Sequence, residues 1–144
     1  MKNLIKLSYL ILSLATQSIV YGQNTDPKKG IMPEIKLVSA RDVQEKLDGK
    51  PARVSTVELT YAPQASSAPH RHPGPVYGYV LQGTFEFKVA GEPLQRLRAG
   101  ETFYEPTMIL HEVSRNPSDS EVVKVLAVVV HPRDAERLVI PEKQ

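Results

Sequence analysis

The chain has 144 residues, of which 18 are Lys or Arg, 16 are Asp or Glu, and none is Cys. This length suits one modest domain and excludes a two-domain organisation. The absence of Cys excludes disulfide scaffolds, thiolate zinc fingers, iron–sulfur clusters and cysteine nucleophiles. A metal ion would therefore have to be bound by His, Asp, Glu or carbonyl groups.

The first 22 residues differ in character from the rest of the chain. Lys2 and Lys6 precede an apolar stretch, and Val20 and Gly22 suit the small-residue positions just before a cleavage site. The stretch contains Ser, Thr and Gln and is shorter than the roughly 20 predominantly apolar residues that span a bilayer. We therefore predict a signal peptide over residues 1–22 and an exported protein, periplasmic or secreted, with no stable membrane anchor after processing.

Removal of this segment would change the charge balance. The formal net charge of the whole chain is +2, but Lys2 and Lys6 lie in the predicted signal peptide and no acidic residue does. The remainder carries 16 basic and 16 acidic residues and is formally neutral. It has no basic run and no aromatic–basic stripe, so the sequence predicts no binding of nucleic acid.

The next segment is predicted to lead into the folded part of the chain. Residues 23–33 are polar, contain Pro and Gly, and predict a flexible lead-in to one domain over residues 34–144. Residues 34–38 predict a short strand. Residues 39–47 predict a turn or two of helix, which the pair Asp48-Gly49 would end.

Apolar and polar residues alternate from Arg53 onward, as they do in half-buried strands. Turn signals such as Gln82-Gly83 and Ala99-Gly100 separate the alternating runs at near-regular intervals, which is typical of a small all-β sandwich or barrel. Residues 121–130 are the most apolar run and predict a strand that crosses the core. The alternating residues are Val57, Leu59 and Tyr61, then Tyr77, Tyr79 and Leu81, then Phe85, Phe87 and Val89.

Three of the four histidines are placed in a way that suits a metal site. His70 and His72 are two residues apart, so in an extended segment both imidazoles point to the same side. His111, from a distant strand, would complete a three-imidazole set suited to Fe, Mn, Ni, Cu or Zn. The alternative is a pair of ordinary surface histidines flanked by prolines.

The residues around these histidines resemble the two signature motifs of the cupins. Residues 69–83, PHRHPGPVYGYVLQG, resemble the first motif, and residues 100–116, which begin GETFYEP, resemble the second. The three motif histidines match His70, His72 and His111. The segments Phe-Tyr-Glu-Pro and Ser-Arg-Asn are similar to those of the small quercetinase-like cupins.

This resemblance implies a fold, a cofactor and an assembly. The fold is the all-β cupin barrel, a jelly-roll-like double-stranded β-helix, and the cofactor is one divalent metal ion. The resemblance also implies a homodimer that pairs through its sheets. The metal would lie in an apolar barrel lined by Val76, Val80, Phe103 and Leu110 or their strand neighbours.

The sequence departs from the cupin motifs at two positions. The first motif commonly has a Glu metal ligand three or four residues after the second His, where this chain has Val76 and Tyr77. The second motif has a glycine after its proline, where this chain has Met108. Three neutral imidazoles leave the full charge of a dication, so the site would favour enolates, carboxylates or thiolates. The resemblance implies a parallel with three-His cupin dioxygenases that cleave acetylacetone or oxidise cysteine.

Four further residues are candidates for chemistry near the metal. Glu105 is a hydrogen-bond acceptor behind a His, a substitute metal ligand or a general base, unless it is a solvated strand carboxylate. Because Tyr104 alternates with Glu105, only one of the two faces inward. The hydroxyl of Tyr79 could donate a hydrogen bond at the metal, although packing is the alternative. His131 is interpreted as a rim or cap residue, and Arg115 as a partner of an acidic substrate or of Glu112 on the rim.

The sequence thus predicts an exported, metal-dependent cupin with a three-His site. The expected activity is that of a dioxygenase-type oxidoreductase acting on a small anionic substrate, such as an enolate, a carboxylate or a thiolate. Two alternatives stay open. One is a non-catalytic cupin that binds a small molecule, and the other is a metal-dependent isomerase or lyase that does not use O₂.

Overall fold

The structure, a computed structural model, describes residues 32–143. The predicted signal peptide, and all but the last two residues of the predicted lead-in, lie outside the described residues. Residues 32–143 form ten β-strands and no helix, so none of these residues belongs to a helix that could cross a membrane. The strands are β1 (Glu34–Leu47), β2 (Lys50–Tyr61), β3 (His70–Arg71), β4 (Val76–Gln82), β5 (Thr84–Val89), β6 (Gln95–Arg98), β7 (Thr102–Glu105), β8 (His111–Arg115), β9 (Val123–Pro132) and β10 (Ile140–Pro141).

The strands form two antiparallel sheets of five strands each, in the orders β1-β2-β9-β4-β7 and β10-β3-β8-β5-β6. The sheets pack face to face around one main core, to which β4 and β7 contribute Val80 and Phe103 and β5 contributes Phe85 and Phe87. In β9 every second residue is buried, so this apolar run crosses the core as expected. The all-β barrel predicted from the alternating pattern is confirmed.

The helix predicted over residues 39–47 is wrong. These residues continue β1, which pairs with β2, with a register shift between Asp42 and Lys46, until Leu47 lies opposite Lys50. Asp48 and Gly49 have φ angles of 49° and 77°, and two positive values in succession are what a two-residue type I′ hairpin requires. The pair interpreted as a helix stop therefore reverses a strand, and cross-strand pairing overrides the weak local helix preference.

The expected alternation in β4 is present, and the structure decides which face is buried. Val76, Gly78 and Val80 face the interior, whereas Tyr77 and Tyr79 are exposed on the outer face. The reason lies at Gly78, where a Cβ would come within 1.9 Å of the Phe103 ring. The absence of a side chain at Gly78 leaves room for that ring, which packs against Phe87 with centroids 4.5 Å apart.

A carboxylate is held on the outer face of the second sheet between two arginines. Glu86 is fully buried, although its neighbours Phe85 and Phe87 point into the core. Its carboxylate accepts hydrogen bonds from Arg96 at 2.8 Å and Arg115 at 2.5 Å, both directly opposite it on adjacent strands. Arg115 was expected to bind a substrate or a rim Glu, and this expectation is corrected, because Glu86 is its partner.

We predict that Gly78→Ala destabilises the protein by about 1–3 kcal/mol, because the new methyl group overpacks the core against Phe103. The measurement is the free energy of unfolding from urea denaturation. In a Phe103→Ala background the same substitution should cost less than about 1 kcal/mol, since the clashing ring is gone. Equal losses in the two backgrounds would contradict this account.

We predict that Glu86 makes the protein sensitive to acid. Burial raises the pKa of this carboxyl, but the hydrogen bonds from Arg115 and Arg96 outweigh burial and hold the pKa below its ordinary value of about 4.5. The resulting stabilisation, about 1 kcal/mol, is present above that ordinary value and is lost as the pH falls through the lower folded-state pKa.

Unfolding of wild type and Glu86→Gln between pH 7 and pH 3 tests this prediction. The variant should be less stable at pH 7 and should lose less stability on acidification. Glu58→Gln is the control, because Glu58 has only a distant partner, Lys124 at 3.9 Å. Parallel acid curves for wild type and Glu86→Gln would refute the prediction.

Candidate metal centre

Three histidines converge inside the barrel because two short strands of the second sheet, β3 and β8, pair with each other. His70 in β3 lies directly opposite His111 in β8, and His72 follows β3 on the same side of the chain. His70 and His111 are buried and His72 is half-buried. Each histidine offers one ring nitrogen to the cluster, and these three nitrogens all lie within 4.8 Å of one another. The structure therefore brings together all three of the histidines predicted to bind a metal.

Backbone carbonyls orient two of these imidazoles. The Nδ1 atom of His70 donates to the carbonyl of Ala68 over 2.8 Å, and the Nδ1 atom of His72 donates to the carbonyl of Leu138 over 2.5 Å. A carbonyl only accepts, so in each neutral ring the proton is on Nδ1 and Nε2 keeps its lone pair. The two Nε2 atoms are 3.1 Å apart. Two lone pairs at this distance repel unless a cation lies against both.

His111 and Glu105 complete the inner wall and lack hydrogen-bond partners. Neither ring nitrogen of His111 nor the Oε2 atom of Glu105 makes a hydrogen bond with residues 32–143, although all three atoms are buried. The Oε2 atom lies 3.2 Å from Nδ1 of His111 and 3.7 Å from Nε2 of His72. Buried polar atoms are normally paired. This donor set therefore fits a divalent metal ion.

Burial favours the protonation state of His70 that binds metals. Desolvation lowers the pKa of His70, and the nearby charges of His111 and His72 lower it further. The hydrogen bond to Ala68 and the negative charge of Glu105 act in the opposite direction, but the net shift is downward. His70 is consequently neutral at pH 7, and a neutral imidazole is the form that binds a metal.

The histidines face a cavity of about 250 Å³ whose walls are mostly apolar. Its apolar walls include Val57, Leu59, Phe103, Ala127 and Val129. Of the four lining residues expected from the sequence, Phe103 contacts the cavity, Val76 and Val80 are buried in the core, and Leu110 is half-buried.

Three hydroxyl groups form a network in the cavity wall that the sequence does not predict. The sequence identifies Tyr61 only as one of the alternating residues of a strand, but its hydroxyl lies 2.7 Å from Oγ of Ser114 and 3.1 Å from Oγ of Ser67, and all three residues line the cavity. Burial raises the pKa of Tyr61, so its hydroxyl stays protonated. The alternation that marks a strand gives no signal for such a network, because the three residues come from distant segments.

Glu105 and Tyr79, both predicted as catalytic candidates, lie on opposite sides of the first sheet. The side chain of Glu105 is directed inward and that of its neighbour Tyr104 outward. Tyr79 is 44% exposed on the outer face, so its hydroxyl does not face the histidines, and its expected role at the metal is corrected. The physical reason is the Val76-Gly78-Val80 face of β4, which occupies the interior.

His131 is a structural residue rather than a ligand at this cluster. It is buried, with Nε2 2.9 Å from Oγ of Ser55 and Nδ1 2.8 Å from the carbonyl of Pro132. Both ring nitrogens therefore have protein partners, in contrast to those of His111. The expectation of a rim position is corrected by its burial.

The C-terminal segment holds the strand that carries His70. Ile140 in β10 lies opposite Arg71, and the Arg71 guanidinium donates to the carboxylate of Glu142 over 2.9 Å and to the carbonyl of Met108 over 2.8 Å. Met108 stands at the position of the family glycine and has a φ of 59°, so the backbone keeps the turn despite the side chain. Arg71 thus points away from the three histidines and anchors the segment whose Leu138 carbonyl orients His72.

Comparison with known proteins identifies the family to which this fold belongs. The family model described as "Cupin domain" matches residues 57–129, which is half of the chain. No curated protein is significantly similar in sequence.

Solved structures share the fold at low identity. DMSP lyase DddQ from Ruegeria pomeroyi superposes with a TM-score of 0.57 at 19% identity over 78% of this chain, which spans only 54% of that protein. A cupin domain from Bordetella pertussis gives 0.52 at 17% identity, over 71% of this chain and 96% of that one. A recombinant oxalate oxidase in complex with glycolate gives 0.51 at 23% identity, over 69% of this chain and 54% of that one. The signature histidines, the paired sheets and the family match agree, and the chain belongs to the cupin family.

Proposed function

We propose that this cupin holds one divalent metal ion with His70, His72 and His111 and oxidises a small anionic substrate with O₂. The observation that supports metal binding is the arrangement of His70 and His72. In their neutral forms, the Nε2 atoms that face each other carry no proton. The Nδ1 atoms of His70 and His72 are used by carbonyls, and the Nε2 atoms meet at 3.1 Å. Imidazole ligands suit Fe, Mn, Ni, Cu and Zn alike, so the supply of metal determines which one is bound.

The residues of the chain provide orientation and exclude water. A bound divalent ion would supply Lewis-acid chemistry and a template for an anion. The apolar walls at Val57, Leu59 and Val129 lower the local dielectric, which strengthens the attraction between an anionic substrate and the site. The protonated hydroxyl of Tyr61 offers a polar contact in the same cavity.

The size of the cavity supports a small substrate. Its volume of about 250 Å³ lies near the lower end of the roughly 300–1,000 Å³ typical of ligand pockets, which favours a substrate smaller than a flavonol. Glycolate, bound by the structurally similar oxalate oxidase, is a small carboxylate, and this agrees with the proposed substrate class. The assignment to the oxygenases is supported by the resemblance to three-His cupin dioxygenases, in which both atoms of O₂ enter the product.

We predict that the purified protein contains close to one divalent metal ion per chain. His70→Ala and His111→Ala should each weaken metal affinity by about 100-fold or more, because losing even the partners behind the ligands costs about 10–100-fold. Elemental analysis and titration against a chelator measure this. His131→Ala, checked by thermal melting, is the control and should retain the metal even if it loses stability. Unchanged metal content in His70→Ala would contradict the three-His site.

We predict that the metal-loaded protein consumes O₂ with a small β-diketone or a thiol carboxylic acid, and that a flavonol is a much poorer substrate. An oxygen electrode measures the rate, and His111→Ala should reduce it at least about 100-fold. Turnover without O₂ consumption would replace the oxygenase proposal by a lyase or isomerase. A shift of the melting temperature by these compounds without turnover would replace it by a binding function.

A further inference from the structure

We propose that Glu105 supplies a fourth metal ligand, which replaces, from the adjacent strand, the glutamate missing from the first cupin motif. This inference rests on the proposed three-His metal site and extends it. The first motif commonly places the carboxylate ligand where this chain has Val76 or Tyr77. The structure shows where a carboxylate at another position could reach the same part of the barrel.

The pairing of β4 with β7 makes Glu105 the direct neighbour of the vacated position. Val76 lies opposite Glu105 in this antiparallel pair, and both side chains are buried. Residues directly opposite on antiparallel strands point to the same face, with Cβ atoms about 4.5–5.5 Å apart. A glutamate at either position therefore enters the interior from nearly the same point.

The distance from Glu105 to His111 matches that between two ligands of one ion, and the distance to His72 is slightly longer. Its Oε2 atom is 3.2 Å from Nδ1 of His111 and 3.7 Å from Nε2 of His72. Ligand atoms that lie about 2.0–2.2 Å from one ion are about 3–3.5 Å from one another. Since Nδ1 of His72 is used by the Leu138 carbonyl, the Nε2 atom facing Glu105 is the one available to the metal.

The lack of a partner argues against Glu105 acting only as a hydrogen-bond acceptor behind a histidine. Neither Oε2 of Glu105 nor Nδ1 of His111 makes a hydrogen bond in the described part of the chain, despite their short separation. Within residues 32–143 no Lys or Arg forms an ion pair with Glu105. A buried carboxylate that is ionised is stabilised by a nearby positive charge, and a metal ion between Glu105 and the histidines would provide it.

A fourth, anionic ligand changes the charge of the site. Three neutral imidazoles would leave a dication with its full charge, whereas the addition of one carboxylate leaves a net charge of +1. The site then balances a singly charged substrate better than a doubly charged one. Among the proposed substrates this favours monoanions, such as a monocarboxylate or the enolate of a β-diketone, over a thiol carboxylic acid that binds through both anionic groups.

The test moves the carboxylate from position 105 in β7 to position 76, which lies opposite it in β4. Glu105→Gln and Glu105→Val remove it, and the double variant Val76→Glu with Glu105→Val restores it at the family position. Co²⁺ is the probe, because its visible absorption reports the ligand set independently of activity. Affinity is measured by competition with a chelator, and thermal melting checks folding. Glu112→Gln is the control, because Glu112 adjoins His111 but pairs with Lys88 at 2.6 Å.

We expect both single variants to bind Co²⁺ about 10–100-fold more weakly and with a changed absorption spectrum. The double variant should recover most of the affinity and the wild-type spectrum, and Glu112→Gln should match wild type. An unchanged spectrum in Glu105→Gln, or weaker binding that the double variant does not restore, would overturn the assignment. Failure of the wild-type protein to bind Co²⁺ would instead overturn the three-His site itself.

Discussion

The site depends on the pairing of β3 with β8, which places His70 directly opposite His111. Because β3 has only two residues, contacts outside it must hold it in place. The C-terminal segment does so, through β10 and the ion pair between Arg71 and Glu142. Metal affinity depends on how firmly the ligands are oriented before the ion binds. Residues distant in the sequence from the motifs therefore contribute to the candidate metal centre.

The interior of this barrel combines an apolar cavity with polar atoms that lack partners. Elsewhere in the described chain, buried polar side chains are paired: Glu86 accepts from two arginines, and His131 contacts Ser55 and a carbonyl. Only Glu105 and His111 leave buried side-chain nitrogen or oxygen atoms unsatisfied within residues 32–143. Such a local departure from satisfied hydrogen bonding is expected where a protein is organised around a ligand rather than for stability alone.

Most of the fold and the three histidines could be predicted, and the errors have definable causes. The spacing of His70 and His72 was sufficient to predict that their imidazoles lie together, because residues two apart share one side of an extended chain. The helix over residues 39–47 was wrong because Asp48-Gly49 is both a helix stop and a hairpin turn, and only pairing with β2 distinguishes them. Tyr79 was misplaced because alternation shows two faces without showing which is inside.

Local patterns in the amino-acid sequence were thus enough for the strand class, the signature histidines and the loss of the first-motif glutamate. They could not show that Glu105 lies opposite Val76, that Leu138 orients His72, or that Tyr61 meets Ser114. These contacts join residues 29, 66 and 53 positions apart. Strand register and barrel closure bring them together, and both follow from the packing of the whole chain.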